Sequence, residues 1–339
     1  MTNPHRPRPK IAIVRVSSLG DVVHNMPVVA DILRYRPDAD IDWIVEESFT
    51  DLVQLVTGVR RVIPVALRRW RHAPLSSVTR QQYGMFKRAF REERYDVIID
   101  CQGLIKTAWI ASRGRGPVVG LGNRTDGAGY EWPARYFYKR SIAIERRTHV
   151  VERSRQLVAA ALDMPAPTDD ASDVDFGLDQ HKGALALARL GLNLPVPYVV
   201  FVHASSRKDK QWPETEWIAL GEALARRGAS LVLPWGNEEE KACSERIASH
   251  FGDAALVPPK LALDAVVGLL DGAAAVVGVD TGLVHIAAAL RRPTVELYNF
   301  STAWRTGGYW STNVVEIGAA NRPPHLSDVK QAISRFGLL

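Results

Sequence analysis

The sequence predicts an α/β protein built as two units, each a doubly wound parallel sheet, and three observations carry that prediction. Short apolar runs alternate along the whole chain with longer stretches of helical period. Several of the runs, such as Ile11-Ala12-Ile13-Val14 and Val97-Ile98-Ile99, are apolar at successive positions, as strands covered on both faces must be. The length, 339 residues, points to two domains at roughly 100–200 residues each.

Taken in order, the first half places strands at 10–16, 40–46, 61–65, 95–101 and 117–121. Helical period occupies 22–34, 77–93 and 104–111 between them and 149–162 after them, enough to cover both faces of the sheet. A break follows at 163–179, where Met-Pro-Ala-Pro-Thr-Asp-Asp-Ala-Ser-Asp combines prolines, small residues and acids, and a linker is expected over 166–180. The pattern then restarts with strands at 198–203, 230–234, 274–279 and 294–298 and helices at 214–227, 237–250, 263–271 and 283–290. Pro213 before Glu214 suits the opening of the first of these helices. The expected division is thus 1–165, the linker, 181–322 and a C-terminal helix within 323–339 free to pack back on the first domain. Two such units leave a cleft at the carboxyl ends of their strands, where ligands of α/β proteins bind.

Composition excludes several classes. Hydrophobic residues are 46% and charged residues 24%, which rules out a disordered or fibrous chain. No apolar run approaches the roughly 20 residues that cross a bilayer, and the stretch from Met1 to Lys10 is basic and proline-rich without a signal-peptide core, so a cytoplasmic location is expected. Cys101 and Cys243 are far apart and lack metal-ligand spacing, so neither a disulfide framework nor a zinc site is expected. The net charge of +6 is unevenly held: residues 1–169 carry 27 Lys and Arg against 18 Asp and Glu, whereas the rest carry 16 against 19. Between residues 52 and 91 there are nine basic residues and no acidic one, which suits an anionic partner as well as a solvated helix face. No nucleic-acid-binding motif accompanies the charge, so a nucleic-acid partner is not expected.

Four strand exits carry residue types suited to a phosphorylated ligand. In Ser17-Ser18-Leu19-Gly20-Asp21-Val22-Val23-His24 the glycine permits close backbone approach and the next helix offers unpaired N–H groups. Asp21 reads equally as a reactive carboxylate and as a first-turn acid that complements the helix dipole. The turn lacks the G-x-G-x-x-G of a dinucleotide-binding dehydrogenase. In His203-Ala204-Ser205-Ser206-Arg207-Lys208-Asp209-Lys210-Gln211-Trp212-Pro213, hydroxyls and ammonium groups suit a diphosphate, with a solvated Lys210 as the plain alternative. In Val277-Gly278-Val279-Asp280-Thr281-Gly282-Leu283-Val284-His285, a carboxylate and a small-residue turn open a helix, and His285 follows one turn later. In Trp235-Gly236-Asn237-Glu238-Glu239-Glu240, an acid suits a ribose diol, and spacing favours Glu240 of the three.

At these residues the sequence resembles the lipopolysaccharide heptosyltransferases of glycosyltransferase family 9. The matching segments are the Ser17–His24 turn, Arg61-Val62-Ile63-Pro64-Val65-Ala66-Leu67-Arg68-Arg69-Trp70-Arg71, Asp100-Cys101-Gln102-Gly103-Leu104-Ile105-Lys106, Asp209-Lys210-Gln211-Trp212-Pro213, Leu233-Pro234-Trp235-Gly236 and the run from Val279 to His285. The resemblance implies a GT-B architecture of two Rossmann-like domains facing a cleft. It further implies inverting transfer of heptose from ADP-L-glycero-β-D-manno-heptose to the inner Kdo of Kdo2-lipid A, at the anionic cytoplasmic face of the inner membrane. By position it makes Asp21 the catalytic base, Lys210 the diphosphate contact and Asp280 the acceptor of sugar hydroxyls. Thr281, Gly282 and His285 become phosphate and heptose contacts, and Glu240 the ribose acid. Lys260 and Leu261 fall in the adenine-side segment, and Ser205 and Ser206 stand where the family has paired threonines. Arg61, Arg68, Arg69, Arg71, Gln102 and Lys106 fall to the acceptor. Asn299-Phe300-Ser301 departs from the family's Gly-Pro-Thr, and so do the contacts expected of that loop.

The chemistry agrees with this assignment. Single displacement needs one carboxylate to take the acceptor proton and cations to stabilise the departing ADP, so a second acid is unnecessary. No Asp-x-Asp pair lies at the diphosphate exits, and no obligatory metal or other cofactor is expected. A sister transferase of the same family with another acceptor, and a non-catalytic two-lobe binding protein, remain as the alternatives.

Overall fold

The computed structural model describes residues 8–168, 170–205 and 207–339, and the chain divides after Gly177 into two units. The first holds six parallel strands: β1 (Lys10–Val14), β2 (Asp40–Glu46), β3 (Val59–Val65), β4 (Val97–Asp100), β5 (Val118–Leu121) and β6 (Arg140–Ile142). Their order across the sheet is β3-β2-β1-β4-β5-β6. Ile13 of β1 lies between Trp43 of β2 and Ile99 of β4, and all three are fully buried, which is why these strands read as unbroken apolar runs. The helical stretch expected at 22–34 is two helices, Leu19–Asn25 and Pro27–Tyr35. Pro27 has no N–H to continue the first ladder and instead starts the second at its N-terminal turn.

The second unit repeats the plan with β7 (Tyr198–Val202), β8 (Ser230–Val232), β9 (Ala255–Leu256), β10 (Ala275–Val279), β11 (Thr294–Leu297) and β12 (Val314–Ile317), in the order β12-β11-β10-β7-β8-β9. Its core gathers Phe201, Trp217, Leu220, Leu231, Val277 and Val295. The C-terminal helix, Leu326–Ser334, buries Val329, Ala332 and Ile333 in this same core, so its apolar face is used within the second unit.

The stretch expected as a linker is mostly part of the first unit. Val174 and Phe176 are buried, the Gly177 carbonyl accepts the Thr57 N–H at 2.8 Å, and the Asp173 carbonyl accepts from Arg34. The second unit begins at once with the helix Gln180–Ala188, capped by Asp179.

In both sheets the strand order reverses beside the first strand. The loops leaving β1 and β4, and those leaving β7 and β10, therefore diverge to opposite faces and open a crevice at the carboxyl edge. Those four loops are the strand exits that hold Asp21, Gln102, Lys210 and Asp280.

Candidate active site

At the switch point of the first unit, Asp21 sits in the first turn of the helix Leu19–Asn25, with about a third of its side chain exposed. Its Oδ2 accepts hydrogen bonds from the N–H and hydroxyl of Ser18, at 3.0 and 3.1 Å. Its Oδ1 is 2.7 Å from the guanidinium of Arg15, a side chain with only 2% of its surface exposed. Burial opposes ionisation of Asp21, but Arg15, the Ser18 N–H and the more distant Arg153 outweigh it and hold the carboxyl below its ordinary value. Arg15 also donates to the Cys101 carbonyl. Asp21 is therefore the first-turn acid of its helix, closing the capping box with Ser18, and it is held as an ionised carboxylate beside the switch point.

The turn around it is fastened from β4. Gln102 lends its side-chain oxygen to the N–H groups of Val16 and Ser17, at 3.1 and 3.4 Å. Asp100, fully buried, accepts from the N–H groups of Gln102 and Gly103 and from the hydroxyls of Thr107 and Tyr138. Gly103 has a φ of +77° with Leu121 and Tyr130 packed close, a position that a side chain would strain. Gln102, assigned to the acceptor by resemblance, thus has its oxygen committed to the backbone of the Asp21 loop.

Beside this turn opens a cavity of about 620 Å³. Arg68, Arg71, Arg80 and Lys106 supply cations to its wall, and Trp70, Tyr83 and Trp109 supply aromatic faces. The wall is organised by Glu46 at the end of β2, whose carboxylate accepts the Leu67 and Arg68 N–H groups that open the helix Leu67–His72. Burial raises the Glu46 pKa. Arg69 turns away to Glu47, at 2.6 Å, and lines a separate cavity of about 250 Å³.

Arg61 requires a correction. It lies four residues before the end of β3, and its guanidinium is bound to the fully buried Asp42 at 2.7 Å and to Glu92 at 2.7 Å. Arg60 and the Tyr95 hydroxyl bind the same Asp42. The guanidinium is thus used within the sheet and does not line the cavity at the carboxyl edge, roughly 13 Å along the strand at 3.3 Å per residue. Arg80, Tyr83 and Trp109 join the wall without a motif to mark them, and the sequence signal that Arg80 carries is its place in the basic run.

At the switch point of the second unit, the Lys210 ammonium is 2.6 Å from the Asp280 carboxylate and also reaches the Asp280 carbonyl. Asp280 meets His285 Nε2 at 3.1 Å through its other oxygen, and His285 Nδ1 is 3.3 Å from Glu296. Burial works against ionisation of Asp280, yet His285 and Lys210 hold it far below the usual range. Burial likewise opposes the charge on His285, and the hydrogen bonds to Asp280 and Glu296 override it, raising the pKa to about 9. Thr281 is the N-cap of the helix Gly282–Ala289, and its hydroxyl oxygen is shut from solvent with no hydrogen-bond partner among the described residues. An orphan hydroxyl beside a lysine and a helix start is an arrangement ready for an anionic oxygen.

Ser205 accepts from the Arg207 N–H, and Ser206 lies outside the described residues. Glu240 folds back on its own helix start, accepting from the Gly236 N–H and the Asn237 amide at 2.7 and 2.8 Å, which singles it out from its two neighbours. Trp235 donates to the Pro258 carbonyl at 2.8 Å, tying the loop after β8 to the loop that carries the exposed Lys260 and the half-buried Leu261. The divergent Asn299-Phe300 pair makes contacts of its own. The Asn299 amide donates to the carbonyls of Asp209 and Gln211, on either side of Lys210, and Arg207 lies over the Phe300 ring at 5.1 Å.

Comparison with known proteins agrees with this geometry. The family model described as glycosyltransferase family 9 (heptosyltransferase) matches residues 84–334. The chain is 40% identical over 306 residues to lipopolysaccharide heptosyltransferase 1 of Pseudomonas aeruginosa, covering 90% of this chain and 82% of that protein. Among solved structures, the E. coli heptosyltransferase WaaC with ADP has a TM-score of 0.83 at 36% identity, covering 96% of this chain and 99% of that one. The same enzyme with ADP-2-deoxy-2-fluoro heptose gives 0.80 at 35% identity, with the same coverage of both chains. With two switch-point sheets, their charged exits and a match across most of the sequence, this chain belongs to glycosyltransferase family 9, the heptosyltransferases.

Proposed function

We propose that the protein transfers L-glycero-D-manno-heptose from ADP-heptose to the inner Kdo of Kdo2-lipid A, inverting the anomeric centre. The observation that carries this reading is the second unit's switch point, where Lys210, the orphan Thr281 hydroxyl and the start of the helix Gly282–Ala289 converge in a chain of this family. Lys210 and the Thr281–Gly282 turn receive the diphosphate and stabilise charge as ADP departs. Asp280 receives hydroxyls of the sugar with His285 held behind it, Glu240 receives the ribose diol, and Lys260 and Leu261 the adenine side. Asp21 takes the proton from the attacking hydroxyl: the O–H bond breaks as the new glycosidic C–O bond forms and the bond to ADP breaks. Its ionised state at neutral pH suits that task.

The acceptor bears carboxylates and phosphates, and the cavity walled by Arg68, Arg71, Arg80 and Lys106 is their place in this reading. Among the described residues no helix is long and apolar enough to cross a membrane. Access to a lipid-borne acceptor then comes through peripheral contact with the anionic cytoplasmic face of the inner membrane, to which basic side chains are attracted.

The test is a mass spectrum of the product from ADP-heptose with de-acylated Kdo2-lipid A, run beside the same acceptor already carrying one heptose. Addition of one heptose to the first acceptor is the expected result. Addition only to the second would hand the chain to the heptosyltransferase II activity of the same family, and addition to neither would remove the reading. Lys210→Ala is expected to lose both donor affinity and rate, because its charge acts in the bound state and more strongly as ADP leaves.

A further inference from the structure

Strand β11 contains a glutamate that no step above uses. Glu296 has no exposed surface and lies in register between Gly278 of β10 and Glu316 of β12. A carboxylate in such a place is unfavourable unless it is paired and hydrogen-bonded. Its Oε1 is 3.3 Å from His285 Nδ1, and its Oε2 accepts from the Tyr298 hydroxyl at 3.0 Å. The other ring nitrogen meets Asp280, and Asp280 meets Lys210. An imidazole facing a carboxylate at each nitrogen donates to both only as the imidazolium. The row Lys210, Asp280, His285, Glu296 therefore alternates in charge from the surface inward.

We propose that Glu296 is a positioning residue of the donor site: it holds His285 as an imidazolium, which keeps Asp280 an ionised, shared carboxylate and so sets how firmly Lys210 is held before a nucleoside diphosphate arrives. The inference rests on the reading of Lys210 and Asp280 as donor contacts. In the native row Asp280 is neutralised by two cations, so a diphosphate can draw Lys210 towards itself while His285 continues to balance the carboxylate. With a neutral ring, Lys210 is the one cation in contact with Asp280 among the described residues, and moving it to the donor leaves a buried carboxylate without a charged contact. Loss of the Glu296 charge should therefore weaken donor binding without touching the acceptor.

The titratable groups around the ring come from several elements, and Arg207 acts on Asp280 from the Lys210 loop. Asp280 lies just ahead of its own helix, with Lys210 behind it; Glu296 and Tyr298 come from β11 and its end, and Glu316 from β12. Thr306 meets the Tyr298 hydroxyl at 3.4 Å. Burial and the neighbouring Glu296 raise the Glu316 pKa. The sign follows. His285 is charged, and the donor site intact, below about pH 9; without the Glu296 charge the ring discharges at lower pH, and the site weakens at neutral pH but recovers in acid.

The experiment uses the full chain as wild type, Glu296→Gln and Glu296→Asp. The His285 ring is titrated by nitrogen NMR without ligand, and ADP affinity and the KM for ADP-heptose are measured from pH 5.5 to 8.5. Expected are a wild-type ring charged throughout the neutral range, a midpoint at least one unit lower in Glu296→Gln, and a largely native midpoint in Glu296→Asp. The donor KM of Glu296→Gln should rise about tenfold at pH 7.5, the scale of one charge-assisted hydrogen bond, and approach wild type at pH 5.5. The acceptor KM should stay unchanged. A wild-type ring that titrates at or below 6.5 overturns the proposal even if neither variant folds. So does a native donor KM in Glu296→Gln, or a deficit that is the same at every pH. Failure of the wild type to bind ADP at all is a separate result, which removes the donor-site reading and this inference with it.

Discussion

Asp21 shows how one side chain can cap a helix and remain available for chemistry. One oxygen closes the Ser18 turn and the other leans on Arg15, which is buried and also held by the Cys101 carbonyl. Because the folded-state pKa lies below the ordinary 3.8, the carboxylate is present throughout the neutral range and is lost only as pH falls through that depressed value. Its contribution to stability has the same sign: fully present above the unfolded pKa and lost in acid. Asp21→Ala should lower kcat by roughly 10²–10⁴ with a nearly native donor KM, and unchanged turnover would remove Asp21 from the reaction. Arg15→Gln should move the acid limb of kcat upward, because burial then acts on Asp21 with its main counter-charge gone; a pH–rate profile superimposable on wild type would show Arg15 to be inert. Asp21, Lys210 and Asp280 were legible in the sequence because each follows an apolar run at a turn. Arg15 and Glu296 were not, since an arginine just past one strand and a glutamate inside another carry no local signal. Their roles arise from partners brought together by sheet order and helix placement.

At the scale of elements, the same basic run divides between two duties according to where along a strand each arginine falls. Arg60 and Arg61, early in β3, neutralise Asp42 on the neighbouring β2, whereas Arg68 and Arg71, past the end of β3, reach the cavity. Counting charge in sequence could not separate them, since the distinction is strand register. Arg61→Ala should therefore lower thermal stability while leaving the acceptor KM near native, and Arg71→Ala should do the reverse. Asp42→Asn, which leaves two arginines without their shared buried partner, should cost about 3 kcal/mol in denaturant unfolding. A raised acceptor KM in Arg61→Ala at native stability would return that residue to the acceptor. The loop after β11 adds a second test. Asn299→Ala removes the amide that spans the carbonyls flanking Lys210 and should raise the donor KM severalfold, less than Lys210→Ala does. An unaffected donor KM would mean that the Lys210 loop holds its shape without Asn299. The central strands were readable as apolar runs, but β6, β9 and β12 were not. They are two to four residues long, at sheet edges and only partly buried, so neither length nor alternation marks them. The short helix Leu67–His72 escaped for a related reason: its arginines mask any apolar period, and its start is set by Glu46 from a distant strand.

For the whole molecule, the proposed assignment of acceptor to the first unit and donor to the second, set beside the division of charge between the halves, implies that the two substrates answer differently to salt. The cations of the first unit's cavity, Arg68, Arg71, Arg80 and Lys106, are all exposed, and they belong to a half with nine more basic than acidic residues. Their attraction for an anionic acceptor acts through water and weakens as the Debye length falls from about 10 Å at 0.1 M to roughly half that at several-fold higher salt. Lys210 is in the opposite situation: only 21% of its side chain is exposed, and it is already held against a buried carboxylate. A diphosphate there exchanges one close ionic contact for another at short range, where added salt screens little. Raising sodium chloride from 50 to 300 mM should therefore raise the acceptor KM severalfold and shift the donor KM much less. Removing Arg71 and Arg80 together should flatten the acceptor's salt dependence as well as raise its KM. Equal salt slopes for the two substrates would show that the basic excess of the first half does not serve acceptor capture, and would return that charge to an ordinary solvated surface.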